Sequence, residues 1–77
     1  MAKWVEEYVL FLVALVKENP VLAKNILATI RFLENHPVSG DAIGETRRSY
    51  TEPNNRFRIG YNYVPGQEIE IVVITLL

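Results

Sequence analysis

Residues 56–77 read RFRIGYNYVPGQEIEIVVITLL, and this stretch decides the fold. Apolar residues alternate with polar or small ones from Phe57 to Tyr63, and alternation begins again after the sequence Pro-Gly-Gln at residues 65–67. Alternation with period two on both sides of a Pro-Gly break indicates two antiparallel strands joined by a short loop. We therefore predict a C-terminal β-hairpin with one apolar face and one polar face.

The register of the hairpin follows from the face that its apolar side chains share. Residues opposite each other across a hairpin lie on the same side of the sheet, so the loop must have an odd length. A three-residue loop over residues 65–67 meets this condition, with Gly66 or its neighbour in the left-handed conformation. On the core face, the predicted pairs are Tyr63 with Ile69, Tyr61 with Ile71 and Ile59 with Val73. On the reverse face, they are Arg58 with Ile74 and Asn62 with Glu70.

The N-terminal half of the chain predicts two helices. Apolar residues recur at helical spacing from Ala2 to about Lys17. A second helix begins after the N-cap residue Asn19, with Pro20 in its first position, and continues to about Asn35. Because the break between them is short, the two helices are expected to form an antiparallel hairpin.

The remaining residues complete a two-layer domain. His36-Pro37 ends the second helix because the residue before a proline avoids the α conformation. Residues 45–50 carry a weaker strand pattern, and residues 51–55 have the composition of a turn. We predict a single α+β domain over residues 1–77. In it, an N-terminal antiparallel helix hairpin packs on one face of a three-stranded antiparallel sheet, in the order ααβββ.

The composition excludes several classes of function. The 77 residues contain no cysteine, which excludes thiolate metal sites, cysteine nucleophiles and disulfides. We interpret the one histidine, His36, as a helix-boundary residue, because it has no second histidine or motif serine at a recognisable spacing. Glu68 and Glu70 share a strand face, and we interpret them as solvated carboxylates that pair across strands rather than as an acid–base pair. No catalytic residue, metal or cofactor is predicted.

An uninterrupted apolar run extends from Tyr8 to Val16. A helix that spans a bilayer needs about 20 apolar residues, and this run is shorter and has charged residues at both ends. Glu6 and Glu7 do not fit the basic start of a secretory signal. We therefore expect a cytoplasmic protein without membrane contact.

The same run leaves the first helix with almost no face suited to water. Leu10, Val13 and Ala14 lie on the stripe opposite the main apolar face of that helix. Such a stripe is covered either by another part of the fold or by a partner chain. Association is also a common source of stability for a domain this small. We expect a homodimer with these three residues at its interface.

Four arginines fall within a dozen residues, although the formal net charge is −1. They are Arg47, Arg48, Arg56 and Arg58. Several guanidinium groups gathered around Tyr50 on a sheet would suit a phosphate group or an acidic peptide. The alternative is a solvated sheet face that binds nothing. These four arginines are the predicted target-binding or phosphate-binding residues.

Two segments carry a resemblance to a known family. Residues 19–40 read NPVLAKNILATIRFLENHPVSG, and residues 56–74 read RFRIGYNYVPGQEIEIVVI. Together they resemble the ParE/RelE superfamily of bacterial toxin–antitoxin toxins, in which a helix hairpin precedes a sheet with an aromatic-Arg-Ile-x-Tyr strand. The Pro-x-x-Gly after the second helix is similar to the ParE branch. The matching positions are Asn19, Pro20, Ala23, Ile30, Leu33, Pro37, Gly40, Phe57, Arg58, Ile59, Tyr61, Ile69, Ile71 and Val73.

The resemblance implies both a function and two departures from the family. Arg58 matches the arginine that helps to hold phosphate in the RNA-cleaving branch. Family members open with a strand at the sheet edge, whereas this chain is expected to open in a helix. It also stops at Leu77, without the C-terminal residues linked to RNA cleavage or gyrase poisoning. A sheet edge without its first strand would be open to a homodimer or to an antitoxin-like peptide.

Three functional hypotheses follow from these observations. The first is a small ParE/RelE-like protein that binds gyrase, the ribosome or RNA, or an antitoxin peptide, through the sheet face around Arg58 and without catalysis. The alternative is a non-toxic homodimeric interaction module that keeps only the fold. The third is a ribosome-dependent mRNA endonuclease, for which no general base is identifiable in the sequence.

Overall fold

A mixed five-stranded sheet and two helices make up the computed structural model, which describes residues 2–77. The helices are α1 (Glu6–Glu18) and α2 (Pro20–Asn35), and the strands are β1 (Lys3–Trp4), β2 (Asp41–Ala42), β3 (Arg47–Thr51), β4 (Phe57–Asn62) and β5 (Glu70–Leu76). The strand order is β1-β5-β4-β3-β2, with β1 parallel to β5 and the other neighbours antiparallel. The α+β class is confirmed. The predicted three-stranded antiparallel sheet and the order ααβββ are wrong, because two further strands join its edges.

The strand β1 is the main element that the sequence did not predict. The backbone N–H of Lys3 donates to the carbonyl of Ile69 at 2.8 Å, and the N–H of Val5 donates to that of Ile71 at 3.3 Å. A strand of two residues is too short to show an alternating pattern. The predicted helix start at Ala2, and the expectation that the chain opens in a helix, are therefore wrong, since α1 begins at Glu6.

The second helix has the predicted bounds. Asn19 caps α2, because its side-chain oxygen accepts a hydrogen bond from the N–H of Leu22 at 3.2 Å. Pro20 occupies the first position, where a missing N–H donor is not required. His36 is the C-cap residue, with its N–H bonded to the carbonyl of Phe32, so its interpretation as a helix-boundary residue is confirmed.

The C-terminal hairpin has the predicted register over only part of its length. Tyr61 pairs with Ile71 and Asn62 with Glu70, as predicted. Between Gly60 and Tyr61 the register shifts, because β5 contains one extra residue at a β-bulge. Beyond the bulge Ile59 pairs with Ile74 and Arg58 with Thr75, so the predicted partners Val73 and Ile74 are wrong.

The connection between the hairpin strands is longer than predicted. The ladder ends at the pair Asn62 and Glu70, so Tyr63 and Ile69 belong to the connection over residues 63–69 and do not pair as expected. The N–H of Tyr63 instead donates to the carbonyl of Thr46 at 2.8 Å. Gly66 is left-handed, with φ of 85°, as the turn chemistry predicted.

One face of the sheet packs against the helices and the other does not. The core joins buried side chains of both helices to those of β4 and β5: Leu12, Leu15, Ala23, Ile26, Ile30, Leu33, Phe57, Ile59, Tyr61, Ile71 and Ile74. We call the opposite side of β3, β4 and β5 the outer face. Its side chains are Arg47, Ser49, Thr51, Arg58, Asn62, Glu70, Val73 and Thr75, with Gly60 at the centre.

Candidate functional site

The outer face carries two of the four predicted arginines, in separate rows of paired residues. Arg47 on β3 pairs with Asn62, and Arg58 on β4 pairs with Thr51. Because Thr51 is four residues from Arg47 along β3, the two arginines are offset by four residues along the strands. At about 3.4 Å per residue, their Cα atoms are separated by roughly 14 Å. Both residues are exposed. The sheet register therefore brings Arg47 and Arg58 to the same surface but not into contact.

The first row links the arginine to a carboxylate through an amide. Arg47 Nε donates to Asn62 Oδ1 at 3.0 Å, and Asn62 Nδ2 donates to Glu70 Oε1 at 3.1 Å. Lys3 on β1 pairs with Glu70 and extends the row to the edge of the sheet. The predicted pairing of Glu70 with Asn62 across the strands is thus confirmed. The bonds hold Arg47 in place without neutralising it by direct contact with a carboxylate.

The second row holds Arg58. Its Nε donates to the hydroxyl of Thr51 at 3.2 Å, and Thr75 lies opposite it on β5. Thr51 is a positioning partner that sequence reasoning missed, because a threonine at a strand end gives no signal before the register is known. A hydrogen bond to a neutral hydroxyl orients the guanidinium and leaves its charge and its other donors available to a ligand.

Arg48 lies on the helix-packed side of the sheet, opposite Tyr61. Its Nη1 donates to the carbonyl of Gly40 at 2.7 Å and to that of Val38 at 3.3 Å. The hydroxyl of Tyr61 accepts a hydrogen bond from the N–H of Gly40 at 3.0 Å, and burial raises the pKa of this phenol. Arg48 therefore holds the loop after α2, and it does not share a surface with Arg47 and Arg58.

Arg56 is engaged within the turn between β3 and β4. Its Nη2 lies 2.9 Å from Glu52 Oε2, and its Nε and backbone N–H donate to Glu52 Oε1 at 3.2 and 3.0 Å. These side-chain hydrogen bonds lower the pKa of the buried Glu52 carboxyl to about 2, and Glu52 in turn raises the pKa of Arg56. The left-handed Asn55 completes the turn. This ion pair stabilises the turn and does not extend the outer face.

The aromatic residue named with the arginines lies on the other side of the sheet. Tyr50 pairs with Ile59 and packs against the core. Its ring centroid is 5.8 Å from that of Phe32, whose ring is in turn 4.9 Å from that of His36. The predicted grouping of guanidinium groups around Tyr50 does not form on the outer face. His36 likewise stacks at the end of α2, away from Arg47 and Arg58.

A second candidate surface lies on α1. The predicted interface residues Leu10 and Val13 are 63% and 55% exposed, and Ala14 is also exposed. Val9 and Val16, two further apolar residues of α1, are 41% and 47% exposed. Of the apolar residues of α1, Leu12 and Leu15 are the ones that the core buries.

An apolar groove runs beside these residues. Its volume is about 400 Å³, and its walls are Trp4, Val9, Leu12, Val13, Val16 and Leu27. Sequence reasoning did not find it, because it joins residues of β1, α1 and α2 that only the packed fold brings together. A helical periodicity plot of α1 alone cannot show that α2 supplies Leu27.

Among residues 2–77 there is no group of three or more histidine or acidic side chains placed to hold a metal ion. Glu68 makes a contact of its own, so it is not a free carboxylate next to Glu70. In the same part of the chain, no helix has both the length and the apolar character needed to cross a bilayer.

Comparison with known proteins gives no relatives. No family model, no curated protein and no solved structure matches the chain. The functional argument therefore rests on the two surfaces just described, the outer face with Arg47 and Arg58 and the apolar side of α1.

Proposed function

We propose that this chain is a small ParE/RelE-like protein that binds a macromolecular target or an antitoxin through the outer face around Arg58, without catalysis. The observation that carries the proposal is the pair of arginines on a sheet face that neither α1 nor α2 covers. Arg47 and Arg58 are each oriented by a hydrogen bond to a neutral group. Preoriented guanidinium groups on an open face suit phosphate and carboxylate ligands.

The spacing of the two arginines favours an extended partner. Each guanidinium is held in its own row, and the rows are separated by roughly 14 Å along the sheet. With each side chain hydrogen-bonded within its own row, the two guanidinium groups form two separate anion-binding positions. An anionic polymer such as RNA, or an acidic segment of a protein, can contact both arginines at once. The same geometry accommodates a nucleic-acid target, a ribosomal target or an acidic antitoxin peptide.

The order of elements also supports the ParE/RelE resemblance. The sequence predicts no opening strand, whereas members of that family begin with a strand at the sheet edge, and β1 supplies an edge strand beside β5. The Pro-x-x-Gly segment that resembles the ParE branch is tied to the sheet through Tyr61 and Arg48. Two of the positions that carry the resemblance, Pro37 and Gly40, are thus held in place by side chains of the sheet.

Binding without catalysis is proposed because the outer face presents no partnered acid and base. Its carboxylate, Glu70, accepts a hydrogen bond from Asn62. The one histidine stacks on Phe32 at the end of α2. Within residues 2–77, no candidate general base lies near Arg58 for the third hypothesis, a ribosome-dependent mRNA endonuclease. Support for that hypothesis requires RNA cleavage by the intact chain that is lost in Arg58→Ala.

A second candidate function is favoured by α1. Leu10 and Val13 are large apolar residues more than half exposed, and they adjoin an apolar groove. Surfaces of this kind mark interaction sites. On this alternative the chain is a non-toxic homodimeric interaction module that keeps the fold alone.

Growth on tightly controlled induction in bacteria tests the first candidate against the second. The intact chain, Arg58→Ala, Arg47→Ala and an empty vector are compared at equal levels of soluble protein. The control variant is Arg31→Ala, which removes an exposed positive charge from α2, away from the outer face. We expect growth arrest with the intact chain and with Arg31→Ala, and relief of arrest with both outer-face variants.

Two results would overturn the proposal. Normal growth with abundant folded intact chain leaves the interaction module as the better explanation. Arrest that persists in folded Arg58→Ala and Arg47→Ala removes the outer face as the active surface. Circular dichroism of the purified variants checks that each one is folded, and both arginines are exposed, so their truncation does not disturb the core.

A further inference from the structure

We propose that α1 pairs with α1 of a second copy of this chain in an antiparallel arrangement. Glu6, Leu10, Val13 and Lys17 are spaced four, three and four residues apart. At 3.6 residues per turn, this spacing places all four on one stripe of the helix. The stripe has an acidic residue at its start, two apolar residues in its middle and a basic residue at its end.

All four residues of this stripe point away from the core. Each of them is exposed, whereas Leu12 and Leu15 on the other side of α1 are buried. The spacing of four and three residues is the one that packs two helices along a common seam. Ala14 borders the stripe and allows the backbones to approach closely.

The charges of the stripe select a second copy, in one orientation. When two copies of α1 run antiparallel about a two-fold axis midway between Leu10 and Val13, Leu10 of each copy meets Val13 of the other. The same axis places Glu6 of each copy opposite Lys17 of the other. Opposite charges at both ends of the seam favour this arrangement. In a parallel pair, Glu6 would face Glu6 and Lys17 would face Lys17, which is repulsive.

The groove beside the stripe adds apolar surface to the same contact. Val13 belongs both to the stripe and to the groove wall, and Leu27 of α2 forms the opposite wall with 40% of its surface exposed. A branched side chain from the second copy can enter this groove next to the seam. The stripe and the adjoining groove cover only one helix and its border. We therefore expect the buried area to be small for a protein–protein interface and the affinity to lie in the micromolar range.

This inference rests on the homodimer of the second candidate function and is independent of the outer face. Arg47 and Arg58 lie on the side of the sheet away from α1, so a dimer can form whether or not the outer face binds a target. Loss of the dimer and loss of growth arrest are therefore separate results, obtained with separate variants.

Charge exchange tests the orientation. Sedimentation equilibrium is measured over the micromolar range for the intact chain, Glu6→Lys, Lys17→Glu and the double variant that carries both changes. In the antiparallel dimer, residue 6 of each copy faces residue 17 of the other, so each single change creates two pairs of like charges. We expect each single change to weaken association by roughly fivefold or more. The double variant restores both pairs with their signs exchanged, so its affinity should return to that of the intact chain.

Leu10→Ser tests the seam itself. Leu10 is 63% exposed, so this change leaves the core intact and should yield a folded monomer. An intact chain that is monomeric throughout the micromolar range overturns the inference and leaves a different partner for the stripe. A dimer in which the single charge variants associate as well as the intact chain overturns the antiparallel arrangement. Unchanged association in Leu10→Ser removes α1 from the interface.

Discussion

The hydroxyl of Tyr61 donates a hydrogen bond of 2.6 Å to the carbonyl oxygen of Pro37. The two residues are far apart in the chain, and this bond ties the segment after α2 to the C-terminal end of β4. Tyr61 is fully buried, and its hydroxyl also accepts from the N–H of Gly40. A Cβ at position 40 would collide with the Tyr61 ring and hydroxyl, so the loop approaches as closely as glycine permits.

Tyr61→Phe is expected to destabilise the fold while it preserves the packing of the ring. The change leaves the Gly40 N–H and the Pro37 carbonyl without this partner in a largely buried position, at a cost of about 1–3 kcal/mol. Urea denaturation of the two chains measures it. Tyr63→Phe, at a half-buried position outside the strands, is the matched control and should change stability by less than about 0.5 kcal/mol. Equal effects of the two changes would contradict this account.

Gly60→Ala is expected to destabilise the sheet at the β-bulge. A Cβ at position 60 would overlap Cγ1 of Val73, the residue paired with Gly60 on β5. Overpacking of this kind usually costs about 1–3 kcal/mol. Val73→Ala in the same chain removes the overlapping methyl group, so the double variant should be more stable than Gly60→Ala alone. Additive losses from the two changes, measured by thermal or urea denaturation, would show that the overlap is not the cause.

The bulge also shows why the register was only half predictable. Tyr61 and Asn62 were matched with their true partners because polar and apolar residues still alternate in that part of both strands. Residues 71–74 read IVVI, and a run without alternation does not reveal an extra residue. The shift places Val73 against Gly60, which is a contact between strands and has no local sequence signal.

The two helices and the arginines illustrate the same limit. The bounds of α2 were predictable because Asn19, Pro20 and Pro37 mark its ends by local chemistry. That Arg58 lies off the core face was also predictable from strand alternation. Whether Arg47 or Arg48 joins it depends on the pairing of β3 with β4, which is set by the turn over residues 52–56 and its left-handed Asn55.

Acid should weaken the fold through Glu52. The pKa of its carboxyl falls from an ordinary value of 4.5 to about 2 in the folded chain. Because the folded pKa is the lower one, the unfolded chain binds more protons between these values, and stability falls as the pH falls from 4.5 toward 2. We expect Glu52→Gln to remove this part of the pH dependence, and denaturation midpoints measured across the window provide the check.

Arg56→Gln provides an independent arm of the same experiment. The hydrogen bonds from the Arg56 side chain are the main cause of the lowered pKa, so their loss should also flatten the acid dependence between pH 4.5 and 2. At neutral pH both variants should be less stable than the intact chain, and the difference should shrink as the pH falls. A difference that stays constant over the window would mean that another carboxyl governs the acid response.

Lys3→Pro should detach β1 from the sheet. Proline has no N–H, so the change removes the bond of 2.8 Å from Lys3 to the carbonyl of Ile69. Lys3→Ala retains the donor and removes the same charge, which makes it the matched control. We expect Lys3→Pro to lose about 1–3 kcal/mol of stability and Lys3→Ala to lose little. Hydrogen exchange at the amide of Val5, which donates to Ile71, should accelerate in the proline variant alone. Equal exchange rates in the two variants would show that the edge of β5 does not depend on the hydrogen bond at Lys3.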